Sequence, residues 1–433
     1  MPDRPFLVLA YDRLGPMHAG PALRSLALAK ELANIAPVDV IYEGEEPGDT
    51  VERISFLKGD ATEPPSDFFS RYRAALVPPM VALVMPEILM SDIPIVVDLF
   101  DPVIWENLEL YRERPSPERN FQHERHLAAL LAALFRGDYF LAAGERQRDL
   151  FLGALMALNR TNPSTWKSDK GSDQLVGLVP FGLPNDPPPS ADELPLPDLY
   201  KCDGPLCVWG GGMWDWLKPE IVVRAWPKVL EKFPDARLAF PGTEHPNPHV
   251  PEMASVGKVK RIAEDLGIVK TMIFGRWLAR LEYLGLLAHA ELGVSAHGPG
   301  LEARYAVRTR FLDAIWMGLP MVVSGGDEYS EYIAANGLGY VETASDHEAF
   351  AKGMLEVLDN GRGAYAAGFS HARNELKWER QARPLTEWAS APRTTHGPGA
   401  EFFTQAVGKA SPRSRPADLA SLINRVLTKL RSQ

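Results

Sequence analysis

The sequence has almost no cysteine, no long hydrophobic run and no excess of basic charge. Its 433 residues include two cysteines, Cys202 and Cys207, too few for a disulfide framework or for a zinc site with paired Cys-x-x-Cys ligands. No apolar stretch approaches the ~18 residues that span a bilayer, and charge follows the first apolar run at once, unlike a secretion signal. The net charge of −10 argues against a general nucleic-acid binder. We therefore expect a soluble, cytoplasmic protein.

The chain also lacks the glycine fingerprint of dinucleotide-binding proteins. No Gly-x-Gly-x-x-Gly follows the first predicted strand, and the glycines at 210–212 are contiguous rather than spaced. That fingerprint provides the tight turn and close backbone approach that a dinucleotide pyrophosphate needs. Its absence counts against an NAD-dependent oxidoreductase, which remains a remote alternative.

Short apolar runs alternate with longer amphipathic ones, which is typical of βα units around parallel sheets. The pattern predicts an α/β fold with two doubly wound, Rossmann-like domains, whose strands' carboxyl ends bind ligands in a central cleft. The predicted strands are 6–11, 38–42, 53–57, 74–78, 93–100, 138–143 and 175–182 in the first half, and 206–210, 236–242, 271–275, 290–296, 320–325 and 338–342 in the second. The predicted helices include 21–33, 123–135, 219–233, 255–266, 304–317 and 346–359.

A proline-rich polar segment, 184–204, separates the two series and is predicted to be a linker. We accordingly assign 1–183 to an amino-terminal domain and 205–390 to a carboxyl-terminal one. The remaining residues, 391–433, combine a flexible segment with an amphipathic helix at 416–431. We expect that helix to pack on protein; the alternative is peripheral contact with the inner face of a membrane.

Three glycines and three tryptophans stand together in WGGGMWDWLKP, residues 209–219, directly after an apolar run. Glycine lets a ligand approach the backbone because it has no Cβ and adopts positive φ. The amino terminus of the following helix offers free N–H groups, which favour a phosphate. We predict that Gly211 and Gly212 lie under a phosphate group and that Trp214 packs at the site or stacks on a ring. The alternatives are a purely structural turn and tryptophans that fill the core.

A second group of polar residues lies between 295 and 333, where two glycine-rich loops flank a predicted helix. Forked guanidinium donors near a helix start suit a diphosphate, and carboxylates there can accept hydrogen bonds from sugar or ribose hydroxyls. The alternative for each arginine is a surface ion pair. The candidates are Glu302, Arg308, Arg310, Asp313, Asp327 and Glu328.

The first domain offers candidates at the predicted carboxyl ends of two strands. The loop DRLGPMHAGPALR contains His18, placed to act as a polar contact or proton carrier, and Gly20, which suits close approach of a ligand. Asp98 ends another strand, where a carboxylate can act as a base or bind a hydroxyl. The alternatives are an unengaged loop histidine and carboxylates that cap the next helix.

The order of these motifs resembles family 4 glycosyltransferases, and in particular one bacterial branch of that family. The segments that carry the resemblance run from about residue 6 to 390. They are AGPALRSLALAKEL, VVDLFDPVIWENLE, AAGERQRDLFLGAL, VPFGLP, WGGGMWDW, GTEHPNP and EARYAVRTRFLDAIWMGLP. The resemblance implies the two-domain GT-B fold, with the second domain binding a nucleotide diphosphate sugar.

The resemblance also implies roles for particular residues. Lys218, with Arg308 or Arg310, is expected to contact the diphosphate. The family's donor motif has two glutamates separated by seven residues, whereas here Asp313 stands at the second position and Tyr305 at the first. Glu302 is the nearest acid to the first position, so either the loop is rearranged or the two carboxylate roles are divided differently in this chain.

We therefore predict a hexosyltransferase that moves a sugar to an acceptor hydroxyl in the biosynthesis of cell-surface glycans or glycoconjugates. The resemblance implies retention at the anomeric carbon. The sequence has no Asp-x-Asp motif to hold a metal ion, so we expect no metal ion and no cofactor beyond the donor. His18, Asp98 and Glu302 are the predicted catalytic residues, and the acceptor is a glycan, a lipid-linked glycan or a small molecule. The alternatives are a non-catalytic nucleotide-sugar-binding module and a nucleotide-sugar epimerase of the same fold.

Overall fold

The computed structural model describes residues 4–15, 20–45, 52–59, 64, 67–162, 165, 171–244, 253–344 and 346–395. Its strands are β1 Phe6–Leu9, β2 Val38–Tyr42, β3 Ile54–Lys58, β4 Ala74–Val77, β5 Ile95–Asp98, β6 Tyr139–Ala142, β7 Val176–Leu178, β8 Leu206–Trp209, β9 Arg237–Phe240, β10 Met272–Phe274, β11 Leu292–Ser295, β12 Met321–Ser324 and β13 Gly339–Glu342. Its helices are α1 Gly20–Ala33, α2 Val81–Val84, α3 Val103–Leu110, α4 Ser116–Arg136, α5 Glu145–Ala157, α6 Pro219–Lys232, α7 Ala254–Asp265, α8 Arg280–His289, α9 Leu301–Tyr305, α10 Thr309–Met317, α11 Glu328–Ala335, α12 His347–Asn360, α13 Ala366–Glu375, α14 Trp378–Gln381 and α15 Arg383–Ser390.

The strands form two parallel sheets, one in each of two compact units. The seven-stranded sheet has the order β3-β2-β1-β4-β5-β6-β7, and the six-stranded sheet has the order β10-β9-β8-β11-β12-β13. In each sheet the strand order reverses beside the first strand, as in doubly wound folds. The predicted α/β class with two Rossmann-like domains is confirmed.

The central strands are buried along their whole length and almost entirely apolar because helices cover both faces of a parallel sheet. Every residue of β1 (FLVL), β4 (AALV), β8 (LCVW) and β12 (MVVS) is buried. All thirteen predicted strands are present, each within one or two residues of its predicted start. Apart from β2 and β3, which have the predicted length, the observed strands are shorter because the flanking residues turn into the loops.

The helix predicted over 304–317 is wrong as one element. The structure has α9 and α10 instead, separated by Ala306, Val307 and Arg308. Ala306 is extended, with ψ 145°, and Arg308 precedes α10 with ψ 76°, so the helical hydrogen bonds stop there. This break lets the Arg308 side chain fold back onto Glu302.

The segment 184–204, predicted as a linker, packs on the second unit. It forms two short 3-10 helices, Ala191–Glu193 and Asp198–Tyr200. Tyr200 is buried, and its hydroxyl occupies the space that a Cβ on Gly275 would need. Its prolines prevent regular helix and central strand, and the segment is held by the burial of a few apolar side chains.

The last described helix, α15, belongs to the first unit rather than to the second, where the sequence placed residues up to 390. Trp388 stacks on Tyr139 of β6, with ring centroids 5.6 Å apart and planes within 4°. The Arg73 guanidinium donates to the Ala389 carbonyl oxygen over 3.1 Å. Because Leu385 is also buried, the return of the chain to its first sheet rests on apolar packing.

None of the helices that the structure describes has both the length and the apolar character needed to cross a membrane. The amphipathic helix predicted at 416–431 lies outside the described residues.

The packing of α15 predicts that Trp388→Ala destabilises the first unit by about 3 kcal/mol, because the change removes a large buried ring. The rate of amide hydrogen exchange, measured by mass spectrometry, should rise in β6 and β7 and stay unchanged in β8–β13. Trp226→Ala is the matched control, since Trp226 is buried in the second unit; it should give the reverse pattern. Faster exchange in the second unit alone for Trp388→Ala would contradict this packing.

Candidate functional site

The candidate site lies in the second unit, where three adjacent strands, β8, β11 and β12, end. The loops that follow them are 210–218, 296–300 and 325–327. The Lys218 amide donates to the Ala296 carbonyl oxygen over 2.8 Å, and Leu217 pairs with His297 as an isolated antiparallel bridge. The first two loops therefore form one surface beside the point where the strand order reverses.

The glycine loop after β8 is shaped by close packing and by one left-handed residue. Gly211 has φ +73°, a conformation that side chains with Cβ rarely adopt. A Cβ on Gly210 would lie 3.1 Å from the Tyr283 hydroxyl oxygen and 3.4 Å from Arg310 Cβ. The Trp209 indole N–H donates to the Gly212 carbonyl oxygen over 3.3 Å and fixes the loop to the core.

The tryptophans of this loop, Trp214 and Trp216, pack on each other and on the core of the second unit. Trp214 and Trp216 stack with centroids 5.0 Å apart and an interplanar angle of 12°. Both are half-buried against the core of the second unit. Between them Asp215 is exposed, and its carboxylate accepts from the Ser255 amide at 2.8 Å near the start of α7. The contacts within the described residues favour the packing alternative for Trp214.

Two carboxylates and three arginines lie on the elements that flank the glycine loop. Glu302 and Arg308 form a bidentate pair, with N–O distances of 2.8 and 2.9 Å, and both are buried. Asp313 of α10 pairs in the same way with Arg280 of α8, over 2.6 and 2.7 Å. Burial alone lowers the pKa of Arg280, but the Asp313 carboxylate reverses this and the pKa is raised.

Arg310 is the arginine of this group with no carboxylate partner among the residues described. Its guanidinium lies 5.6 Å from the centroid of the Trp209 ring and 3.7 Å from where a Gly211 Cβ would stand. One terminal nitrogen, Nη1, is buried and has no hydrogen-bond partner in the described part of the chain. Burial, followed by the nearby Arg308 charge, lowers the pKa of Arg310 to about 10, so the group stays cationic at neutral pH.

Lys218 comes from the other end of the same loop. It immediately precedes α6, and its Cε lies 3.4 Å from the position of a Cβ on Gly298. The half-buried side chain thus runs across the loop that follows β11. Lys218 and Arg310 bring two positive charges to the ends of β8 and β11.

Asp327 and Glu328 begin the helix after β12. Asp327 is fully buried and caps α11 by accepting from the Ser330 amide at 2.8 Å. Its second oxygen lies 3.1 Å from Nε2 of His297, a residue to which the sequence assigned no role. Glu328 is half-buried at the first position of α11. The carboxylate of Asp327 therefore holds two loops together, and its predicted contact with a ligand stays a prediction.

The candidates that the sequence placed in the first domain include residues of α1 and β5. Asp98 forms a buried bidentate pair with Arg24 of α1, over 2.7 and 2.8 Å. The Arg24 guanidinium also donates to the Val179 carbonyl oxygen at 2.9 Å. Gly20 is the first residue of α1, and His18 lies outside the described residues. Because both oxygens of Asp98 accept from one guanidinium, the geometry favours an anchoring role for this residue.

The Asp98–Arg24 pair predicts that Asp98→Asn costs about 3–5 kcal/mol of stability, because it removes the carboxylate charge that pairs with the buried Arg24 guanidinium. Urea unfolding should show this loss, and the double variant Arg24→Met/Asp98→Leu should lose less than Asp98→Asn. A normally stable Asp98→Asn variant that has lost turnover would instead support the catalytic role predicted from the sequence.

The backbone at Gly211 predicts a cost of about 1–2 kcal/mol for Gly211→Ala, because a Cβ is disfavoured at positive φ. Thermal unfolding measures the change. Gly363→Ala is the control: no atom lies within 4 Å of its Cβ position and its φ is not positive, so its melting temperature should be unchanged or slightly higher. Equal melting temperatures for the two variants would contradict the strain at Gly211.

No protein-family model matches the sequence, and no curated protein does either. Solved structures do match it in fold. WaaG, described as a glycosyltransferase involved in lipopolysaccharide biosynthesis, is 16% identical with a TM-score of 0.60, over 90% of this chain and 100% of its own. HepE of Anabaena, solved in complex with UDP-glucose, is 14% identical with a TM-score of 0.58, over 89% of this chain and 99% of its own.

A third solved structure matches over a similar share of both chains. Sucrose-phosphate synthase of Thermosynechococcus elongatus is 14% identical with a TM-score of 0.58, and the match covers 89% of this chain and 98% of that one. All three likenesses extend over both units and nearly the whole of the known chains. The chain therefore has the GT-B fold of these glycosyltransferases.

Proposed function

We propose that the chain is a glycosyltransferase that transfers a hexosyl group from a nucleotide diphosphate sugar to an acceptor hydroxyl. The fold likeness to WaaG and to HepE, which was solved with UDP-glucose, supports this proposal. The composition of the site after β8 and β11 supports it independently, because the residues there suit a diphosphate.

One observation carries the proposal, namely the position of Arg310 against the three-glycine loop. The loop brings backbone close to the surface, and Arg310 adds a cation whose buried Nη1 has no hydrogen-bond partner in the described chain. Guanidinium groups bind phosphate oxygens through charge-assisted hydrogen bonds. With Lys218 on the neighbouring loop, this site would stabilise the charge on a nucleoside diphosphate as it departs.

The two ion pairs explain how the site can differ from the usual donor motif. Glu302 holds Arg308, and Asp313 holds Arg280, so each carboxylate is neutralised by one arginine. We assign the diphosphate to Arg310 rather than to Arg308, because Arg308 already compensates a buried charge. Glu302 and Asp313 would then act on the donor mainly by fixing the elements that carry Arg310.

The reaction breaks the bond between the anomeric carbon and the terminal phosphate oxygen. The acceptor oxygen forms the new bond to that carbon and gives up its proton to the departing phosphate oxygen. We propose family 4 membership, retention and cell-surface glycan synthesis on the sequence resemblance. We propose independence of metal ions because the sequence has no Asp-x-Asp motif. Peripheral membrane contact through 416–431 is proposed on the amphipathic pattern of that segment, as the alternative to packing on protein.

Thermal shift against UDP, GDP, dTDP, ADP and NAD tests the donor site. A ligand present at 100 times its Kd should stabilise the protein by roughly 2.7 kcal/mol. We expect one nucleoside diphosphate to stabilise the protein in this way. Arg310→Met should raise the Kd for that nucleoside diphosphate about 10–100-fold, because a hydrogen bond to a charged group is lost. Arg224→Met is the control, since Arg224 is exposed on α6, and it should bind normally.

Product analysis distinguishes transfer from its rivals. Release of free nucleoside diphosphate that depends on an acceptor supports glycosyl transfer, whereas a changed sugar with no free nucleoside diphosphate indicates an epimerase. Stabilisation by NAD alone, or normal nucleotide binding by Arg310→Met, would overturn the proposed site.

A further inference from the structure

Three buried polar atoms without hydrogen-bond partners lie on elements that adjoin the glycine loop. They are the Tyr283 hydroxyl, the Ser295 hydroxyl and Arg310 Nη1, none of which has a partner in the described part of the chain. Buried polar atoms in native proteins are nearly always hydrogen-bonded, and an exception needs a cause. Three exceptions on three different elements beside one loop point to a ligand that supplies the partners.

Tyr283 reaches the loop from α8. Its hydroxyl oxygen lies 3.1 Å from the position that a Cβ on Gly210 would occupy, so the glycine makes room for it. The Gly211 amide is near the hydroxyl but outside hydrogen-bonding geometry. Burial, together with the Asp313 charge, raises the pKa of Tyr283. The phenol therefore keeps its proton at neutral pH and can donate it to an anion.

Ser295 approaches from the sheet itself. It ends β11, and its side chain is 1% exposed. Val294 pairs with Trp209 in the parallel ladder, so Ser295 stands beside Gly210 on the neighbouring strand. Neighbouring residues of paired strands share a face of the sheet, and the missing Gly210 side chain faces Tyr283 and Arg310. The side chains of Ser295 and Tyr283 therefore lie on the same face of the second unit's sheet.

The donors of this group define the chemistry of its ligand. Arg310 can only donate hydrogen bonds, and the two hydroxyls can each donate one. The nearby carboxylates, Glu302 and Asp313, are occupied by arginines, so they do not oppose an anion. A phosphate group offers acceptor oxygens with negative charge in several directions, which matches a guanidinium and two hydroxyls on separate elements.

We propose that Tyr283 and Ser295 are phosphate-binding residues, which together with Arg310 hold the diphosphate of the nucleotide donor. The inference rests on the proposed function and adds two ligands to its site. It also implies that the two hydroxyls lower the stability of the protein without nucleotide, because a buried donor without a hydrogen-bond partner is unfavourable. Binding of the diphosphate would satisfy them.

The test compares Tyr283→Phe and Ser295→Ala with the wild type in two measurements. Each variant should bind UDP, or whichever nucleoside diphosphate the wild type selects, about 10-fold more weakly, because it lacks one hydrogen bond to a charged group. Each should also melt at the same or a higher temperature without nucleotide. A hydroxyl with a merely structural role gives the opposite result, a lower melting temperature with unchanged affinity.

Tyr332→Phe is the matched control. The Tyr332 hydroxyl donates to Glu375 over 2.7 Å at the surface of the same unit, so its loss should leave UDP affinity unchanged. A second comparison uses UDP and UDP-glucose. If Tyr283→Phe and Ser295→Ala weaken UDP-glucose but not UDP, the hydroxyls bind the sugar and the inference is overturned.

Nucleoside diphosphate binding by the wild type distinguishes failure of the role of Tyr283 and Ser295 from failure of the proposed function. Wild-type protein that binds no nucleoside diphosphate overturns both. Wild-type protein that binds one, with the same affinity in Tyr283→Phe and Ser295→Ala, overturns only the role of these two hydroxyls.

Discussion

The candidate site depends on the parallel pairing of β8 with β11. These strands are adjacent in space although β9 and β10 lie between them in the chain, so the strand order reverses there. The loops that follow the two strands consequently meet at one edge of the sheet, where the Lys218 amide donates a hydrogen bond to the Ala296 carbonyl oxygen. Without this pairing the glycine loop and the loop with His297 would have no common surface, since residues 212 and 297 are far apart in sequence.

Charge compensation then decides which cation remains for a ligand. A buried charge is tolerated when it is paired, and Glu302 and Asp313 each take one arginine. Arg310 remains against the glycine loop with no carboxylate partner in the region described. The two pairs also connect α8, α9 and α10, so the same contacts that neutralise the carboxylates hold Arg310 in position.

The fold was predictable because each element carries its own pattern. Continuous apolar runs such as FLVL and LCVW indicate strands covered on both faces, and all thirteen are present. The helix over 304–317 failed because the backbone breaks at Ala306–Arg308, where the Glu302–Arg308 pair forms, and helix periodicity does not show such a break. The return of α15 to the first sheet depends on a distant contact, that of Trp388 with Tyr139.

The sequence by itself determined the two parallel sheets, the glycine loop and the set of charged residues near it. Only the tertiary structure decided which of those charges are paired, and it added Tyr283 and Ser295, which no motif marks. The reason is physical: apolar periodicity and glycine act through the local backbone, whereas the state of a charge or hydroxyl depends on what distant elements bring within about 3 Å. Arg308 and Arg310 are two residues apart, yet Arg308 pairs with the Glu302 carboxylate whereas Arg310 lies against Trp209 and Gly211 of a distant loop.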